Sequence, residues 1–130
     1  MNPELILLVA LLTVLVVTGK ALASTGRIDH LDTYRQQGVV QTDAEKGRKL
    51  WYANNGERSC TSCHGKLPAD AGKHVKTGKA IEPMALSVSP GRYRSVKKIE
   101  KWFLRNCKWT YGRECSTQEK ADILAWLAGQ

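Results

Sequence analysis

Cys60-Thr61-Ser62-Cys63-His64 is the stretch that decides how this chain folds. Two thiols separated by two residues fall on one side of a single helical turn, and the histidine that follows lies on the same side. The Cys-x-x-Cys half alone has several readings. A thiol–disulfide exchange pair belongs in a strand–helix–strand setting, and no such pattern surrounds this one. A zinc site needs a second ligand pair, but Cys107 and Cys115 stand far downstream and are spaced unlike a zinc ribbon. A structural disulfide would leave His64 unexplained. One reading uses all three residues: the thiols add across the vinyl groups of a haem, and His64 beneath the iron supplies an imidazole as first axial ligand. The implied cofactor is one covalent haem c.

Outward from the motif, the hydrophobic pattern is helical and no strand-like alternation occurs. Thr42 is placed to cap a helix over Asp43–Ala53, with acidic Asp43 and Glu45 in its first turn, and Asn54-Asn55-Gly56 stops it. Residues 65–90 contain three prolines and three glycines; that density of breakers predicts a long loop, which needs something to wrap around. Ser95 is the expected N-cap of a helix from Val96 to about Asn106. Ser116-x-x-Glu119 forms a capping box for a last helix ending near Ala128, before Gly129. Residues 24–41 are read as an arm or linker with at most a short helix over 31–36, and 42–130 as the domain. Gly47, Leu50 and Trp51 in the first clear helix, with Ile123, Leu124, Trp126 and Leu127 in the last, resemble the crossing terminal helices of class I cytochromes c. Gly47 is placed to let an aromatic such as Trp126 approach the backbone. The expected class is a small all-α fold wrapped around one haem.

Residues 1–23 have a different character. Leu5 to Val17 is apolar apart from Thr13, and Ala21-Leu22-Ala23 offers a small-x-small cleavage pattern. This is a signal peptide, or else an N-terminal membrane anchor spanning through residues 1–20. Either implies export to the periplasm, soluble after cleavage or tethered to the inner membrane. Export also accounts for the cysteines, since Cys107 and Cys115 remain as a natural disulfide pair. Glu4 and Lys20 leave with the leader and cancel, so the exported part keeps the formal net charge of +8. Such a charge fits an acidic partner surface or a solvated basic face. Lys97, Lys98, Lys101, Arg105 and Lys108 are its densest cluster. Aromatic and basic residues do not interleave as in a nucleic-acid platform, and that partner is set aside.

The ligand on the other side of the iron governs function, and the residues offer three. Met84 is the conventional thioether, which makes a low-spin electron shuttle of raised potential. It stands in Ile81-Glu82-Pro83-Met84, ahead of a whole further helix rather than in the loop before the last one. His74 would give a low-potential bis-histidine haem. Asn106 ends the apolar face Ile99, Trp102, Phe103, at spacing i, i+3, i+4, i+7. A buried amide needs a partner, at a cost of about 1–3 kcal/mol if it lacks one, whereas an amide finishing a helix is satisfied by water. From the residues alone the choice stays open.

Roughly residues 47–130 resemble the sphaeroides haem protein (SHP) family. The likeness is carried by Lys76-Thr77-Gly78-Lys79-x-Ile81-x-Pro83, Val96-x-x-Ile99-Glu100-Lys101-Trp102 and Arg105-Asn106-Cys107. It continues through Gly112-Arg113-x-Cys115 and Glu119-Lys120-Ala121-Asp122-x-Leu124-Ala125-Trp126-Leu127. The resemblance implies a class I-like monohaem cytochrome whose second axial ligand is Asn106, with a Cys107–Cys115 disulfide in the ligand-bearing loop. It also implies redox partners of the multihaem or membrane cytochrome b kind as electron donors. The retained leader and Met84 depart from the pattern. An amide is a weak ligand that can leave on reduction, opening the iron to oxygen, nitric oxide or carbon monoxide. Trp109 and Tyr111 are placed in the same loop, where they would line the ligand pocket or lie exposed. The alternatives are a His/Met electron shuttle, an enzyme turning over nitric oxide, oxygen or peroxide, and a structural haem subunit of a membrane complex; no distal acid–base pair is visible for peroxide cleavage.

Overall fold

The computed structural model describes residues 28–130. The signal or anchor expected at 1–23 lies outside the described residues, and among those described no helix is long and apolar enough to cross a membrane.

Five α-helices lie among the described residues: α1 His30–Gln36, α2 Ala44–Tyr52, α3 Thr61–His64, α4 Val96–Tyr111 and α5 Thr117–Ala128. A 3-10 turn, Pro90–Tyr93, precedes α4. The cap of α2 is Asp43, one residue beyond the expected Thr42: Asp43 is extended and its carboxylate accepts from Lys46 N. Its own amide donates to Asp122 Oδ1 at 2.8 Å, tying the start of α2 to α5. Ser95 caps α4 through Lys98 N. The Ser116–Glu119 capping box is complete, with Ser116 Oγ accepting from Glu119 N and Ser116 N donating to Glu119 Oε2.

Three expectations are corrected. The expected loop contains a hairpin of β1 Gly72–Lys73 and β2 Ala80–Ile81, with Gly72 opposite Ile81 and Lys73 opposite Ala80. Strands of two residues are too short to show alternation in a sequence. Helix α4 does not stop near Asn106 but continues to Tyr111 and ends at Gly112, φ 70°, because nothing in Cys107–Tyr111 breaks it. Cys107, Trp109 and Tyr111 are therefore helical rather than loop residues. Finally, part of the stretch read as an arm belongs to the core: Ile28, Tyr34 and Val39 are buried with the residues of α5. Its apolar positions are too few to register as a period.

The core forms where α2 and α1 pack on α5. A Cβ at Gly47 would fall 2.0 Å from the Asp122 carbonyl oxygen. The close neighbour of Gly47 is thus the α5 backbone rather than the Trp126 ring. Trp126 packs instead on Trp51, ring centroids 5.5 Å apart. A second tie joins α1, α4 and α5. Glu100 of α4 receives Lys120 Nζ at 2.6 Å and the Tyr34 hydroxyl, and lies 2.7 Å from Nε2 of the fully buried His30.

Candidate functional site

Helix α3 is one turn long, and that turn sets the motif. The Cys60 carbonyl accepts from His64 N at 3.0 Å and Cys63 N at 3.3 Å, which aligns Cys60, Cys63 and His64 along one side. Ser59 N donates to Ser62 Oγ at 3.0 Å ahead of the turn, and Gly65, φ 81°, turns the chain away behind it. The hairpin presses on this turn: a Cβ at Gly72 would fall 2.1 Å from the Cys63 carbonyl oxygen. Residues 65–90 are thereby folded against the motif.

The His64 ring lies against Trp51, centroids 5.3 Å apart. Burial, reinforced by the positive charge of Arg92, brings its pKa down to about 4, so the imidazole is neutral and its lone pair is available to a metal. Burial likewise pushes the Cys60 thiol up to about 11, against the opposing hydrogen bond from Tyr111. A thiol held protonated in this way is a poor exchange nucleophile. Cys60 and Cys63 are joined neither to each other nor to another cysteine, whereas Cys107 and Cys115 form a disulfide.

The three candidates for the opposite ligand occupy distinct settings. The Met84 main chain is pinned on both sides: its amide donates to Pro68 O at 2.7 Å and its carbonyl accepts from the Tyr93 hydroxyl. Its side chain packs on the apolar core. The His74 ring serves its own turn, Nδ1 accepting from Lys76 N and Thr77 N, both at 3.3 Å. Asn106 is half-buried on α4, on the side of Ile99 and Phe103, and its amide makes no hydrogen bond among the described residues. It stands inside the helix, nearly two turns ahead of Gly112, so it does not serve as the helix cap.

The end of α4 is strapped to the segment before the motif. Asn55 Nδ2 donates to Thr110 O at 3.1 Å, Arg58 Nη1 to Trp109 O at 3.2 Å, and Tyr111 Oη to Leu50 O at 2.6 Å. The Tyr111 hydroxyl also sits 3.8 Å from Cys60 Sγ. These bonds bring the Asn106-bearing helix to the Cys60 side of α3. The sequence marks Asn55 only as part of a helix stop and gives no sign of Arg58 or Arg92, because isolated polar residues in breaker-rich segments carry no periodic signal.

The donor set fits a haem: two unpaired thiols and one neutral imidazole share a turn. Beside them His64 Nδ1 and Trp51 Nε1 are buried with no hydrogen-bond partner, as is His30 Nδ1 in the core, and the two that adjoin the thiols call for a partner the chain itself does not supply. A single motif of this kind in an all-α frame defines a monohaem c-type cytochrome. Residues 37–127 match a family described as a domain of unknown function, DUF1924. The cytochrome c-type protein SHP of Cereibacter sphaeroides is 40% identical over 121 residues, covering 88% of this chain and 93% of that protein. Cytochrome c'' of Methylophilus methylotrophus is 39% identical over 80 residues, 62% of this chain and 56% of that protein. The structure of oxidised SHP, described as an oxygen-binding cytochrome c, matches with a TM-score of 0.71 at 39% identity, covering 82% of this chain and 97% of that one. Oxidised cytochrome c'' matches with a TM-score of 0.60 at 27% identity, covering 79% and 88%. The chain belongs to the SHP family of c-type cytochromes, has the cytochrome c fold and carries one covalently bound haem c.

Proposed function

We propose that Cys60 and Cys63 attach the haem, that His64 and Asn106 are its axial ligands, and that the protein accepts electrons from a redox partner and binds small diatomic ligands. When bound, haem iron supplies one-electron redox chemistry and a coordination position that a weak ligand can vacate. The single observation that carries the reading is Asn106, a half-buried amide on the inward side of α4 with no hydrogen-bond partner among the described residues. An amide with no protein partner on this side of the helix is free to coordinate, and coordination would supply its partner. His64, kept neutral by burial, is the permanent ligand; Asn106, the weaker donor, is the one that leaves. The Cys107–Cys115 disulfide follows Asn106 directly and limits movement of the helix end. The packing of the Met84 side chain on the apolar core and the engaged ring of His74 count against them as ligands. SHP itself is described as an oxygen-binding cytochrome c, which is the behaviour a labile Asn106 would give here. The N-terminal sequence and the disulfide suit an exported, periplasmic protein.

Optical and EPR spectra of the ferric and ferrous protein, with and without carbon monoxide, test this. The ferrous form should be high-spin and take up carbon monoxide readily, and Asn106→Ala should change the ferric spectrum. A near-infrared band from sulfur-ligated ferric haem, or a low-spin ferric spectrum untouched by the substitution, overturns it.

A further inference from the structure

Helix α4 separates its charges by side. Its one acidic residue, Glu100, turns to the body of the protein and is neutralised there by Lys120. The solvent side of the helix carries Lys97, Lys98, Lys101, Arg105 and Lys108, all exposed. Lys108 pairs with Glu114 at 3.1 Å, and the other four have no carboxylate partner among the described residues. On this side stands Trp102, 44% exposed, with Lys101 Nζ 5.9 Å and Arg105 Cζ 5.6 Å from its ring centroid. Lys98, Lys101, Trp102 and Arg105 follow the i, i+3, i+4, i+7 spacing and form one stripe. The stripe adjoins the one that holds Asn106, four residues after Trp102.

An exposed tryptophan braced by cations is costly to leave in water and is the residue type that anchors protein interfaces. The stripe of Lys98, Lys101 and Arg105 around it, with no carboxylate partner among the described residues, steers an acidic partner and repels a basic one. We infer that this face of α4, centred on Trp102, is the docking surface for an acidic one-electron carrier protein. The inference rests on the electron-accepting reading above and adds where the partner sits and what charge it bears. In the step served, the carrier loses one electron and the ferric haem gains it; no proton or other reactant is required. The basic stripe draws the carrier in, and Trp102 fixes its register beside the helix that bears Asn106.

Flavodoxin, an acidic one-electron carrier, is a suitable probe of the holoprotein, with lumiflavin semiquinone as a neutral reductant. The rate of reduction by flavodoxin hydroquinone should fall roughly tenfold between low and physiological salt. Lys98→Glu/Lys101→Glu should lower the low-salt rate by about the same factor and abolish the salt dependence. Lys73→Glu/Lys76→Glu, the same change of net charge on the exposed hairpin, should stay within about twofold of the parent. Calorimetric titration with oxidised flavodoxin, where no electron moves, should show binding weakened by Trp102→Ala and by the α4 pair but not by the hairpin pair. Equal effects of the two pairs, or no effect of the α4 pair, overturns the proposal. Lumiflavin should reduce every variant at the same rate, which shows the haem intact. Failure of lumiflavin to reduce the parent protein overturns the electron-accepting reading, and this inference with it.

Discussion

Glutamine at position 100 would keep the shape of the side chain and delete its charge, and the surroundings of Glu100 set what that deletion costs. Burial opposes ionisation here, but hydrogen bonds from Lys120, Tyr34 and His30 together with the Lys120 charge outweigh it. They bring the carboxyl down to about 2 from an ordinary 4.5. At about 1.36 kcal/mol per pH unit, that depression corresponds to about 3 kcal/mol. The carboxylate is 36% exposed, so solvent screening reduces the contribution to roughly 1–2 kcal/mol. Because the folded-state value is depressed, this stability is complete above about pH 4.5 and is lost as pH falls towards 2. Glutamine also leaves the buried Tyr34 and half-buried Lys120 groups less well matched, so Glu100→Gln should destabilise by roughly 1.5–3 kcal/mol near neutral pH. That is a fall in Tm of roughly 6–15 °C for a domain of this size. Thermal unfolding of parent and variant holoprotein, followed by circular dichroism from about pH 7 to about pH 2.5, measures the difference. The two curves should converge below about pH 4.5. A difference that stays constant to the acid end, or one under about 0.5 kcal/mol at neutral pH, refutes the assignment of Glu100 as the charged tie between α1, α4 and α5.

Gly47→Ala should cost more than about 2 kcal/mol in urea unfolding, since the new Cβ meets the Asp122 carbonyl and backbone cannot yield cheaply; a loss within experimental error would show that α2 and α5 can separate freely. Replacing Cys107 and Cys115 by alanine opens a closure of eight residues in sequence and should cost about 2.5 kcal/mol by the chain-entropy estimate. Ser116→Ala removes half of the capping box and should cost about 1 kcal/mol in the same unfolding assay.

The helices were legible wherever capping chemistry and periodicity coincided, as at Ser95 and Ser116. The cysteines followed from count and spacing. The motif could be read because the chemistry fixes both the residue types and their offsets, and His64 needs no tertiary partner to be recognised. Asn106 was harder. A polar residue ending an apolar face could equally finish the helix, and family likeness pointed to it before the structure placed it within α4. The end of that helix is not legible at Cys107, because a disulfide cysteine suits a loop as well as a helix, although Cys107–Tyr111 contains no breaker. The packing of Ile28, His30 and Tyr34 was invisible for a different reason. Their burial is decided by α5 and by Glu100, more than sixty residues away, and a local pattern does not report such distant pairing. The hairpin eluded the reading because it is held by the turn around His74 and by contact with α3 rather than by any alternation of its own.

The placement of Asn106 within α4, rather than on a flexible loop, has a kinetic consequence. Its main chain is held by the helix on both sides and by the disulfide directly after it. Under the proposed ligation, letting go of iron is then a matter of two side-chain torsions and not of chain rearrangement. Rotamer changes of that kind run on picosecond to nanosecond timescales, whereas collective segment motions take microseconds or longer. The opening of the coordination position would then be limited by the breaking of the coordinate bond and not by chain motion, and solvent viscosity, which slows large displacements, should leave its rate nearly untouched.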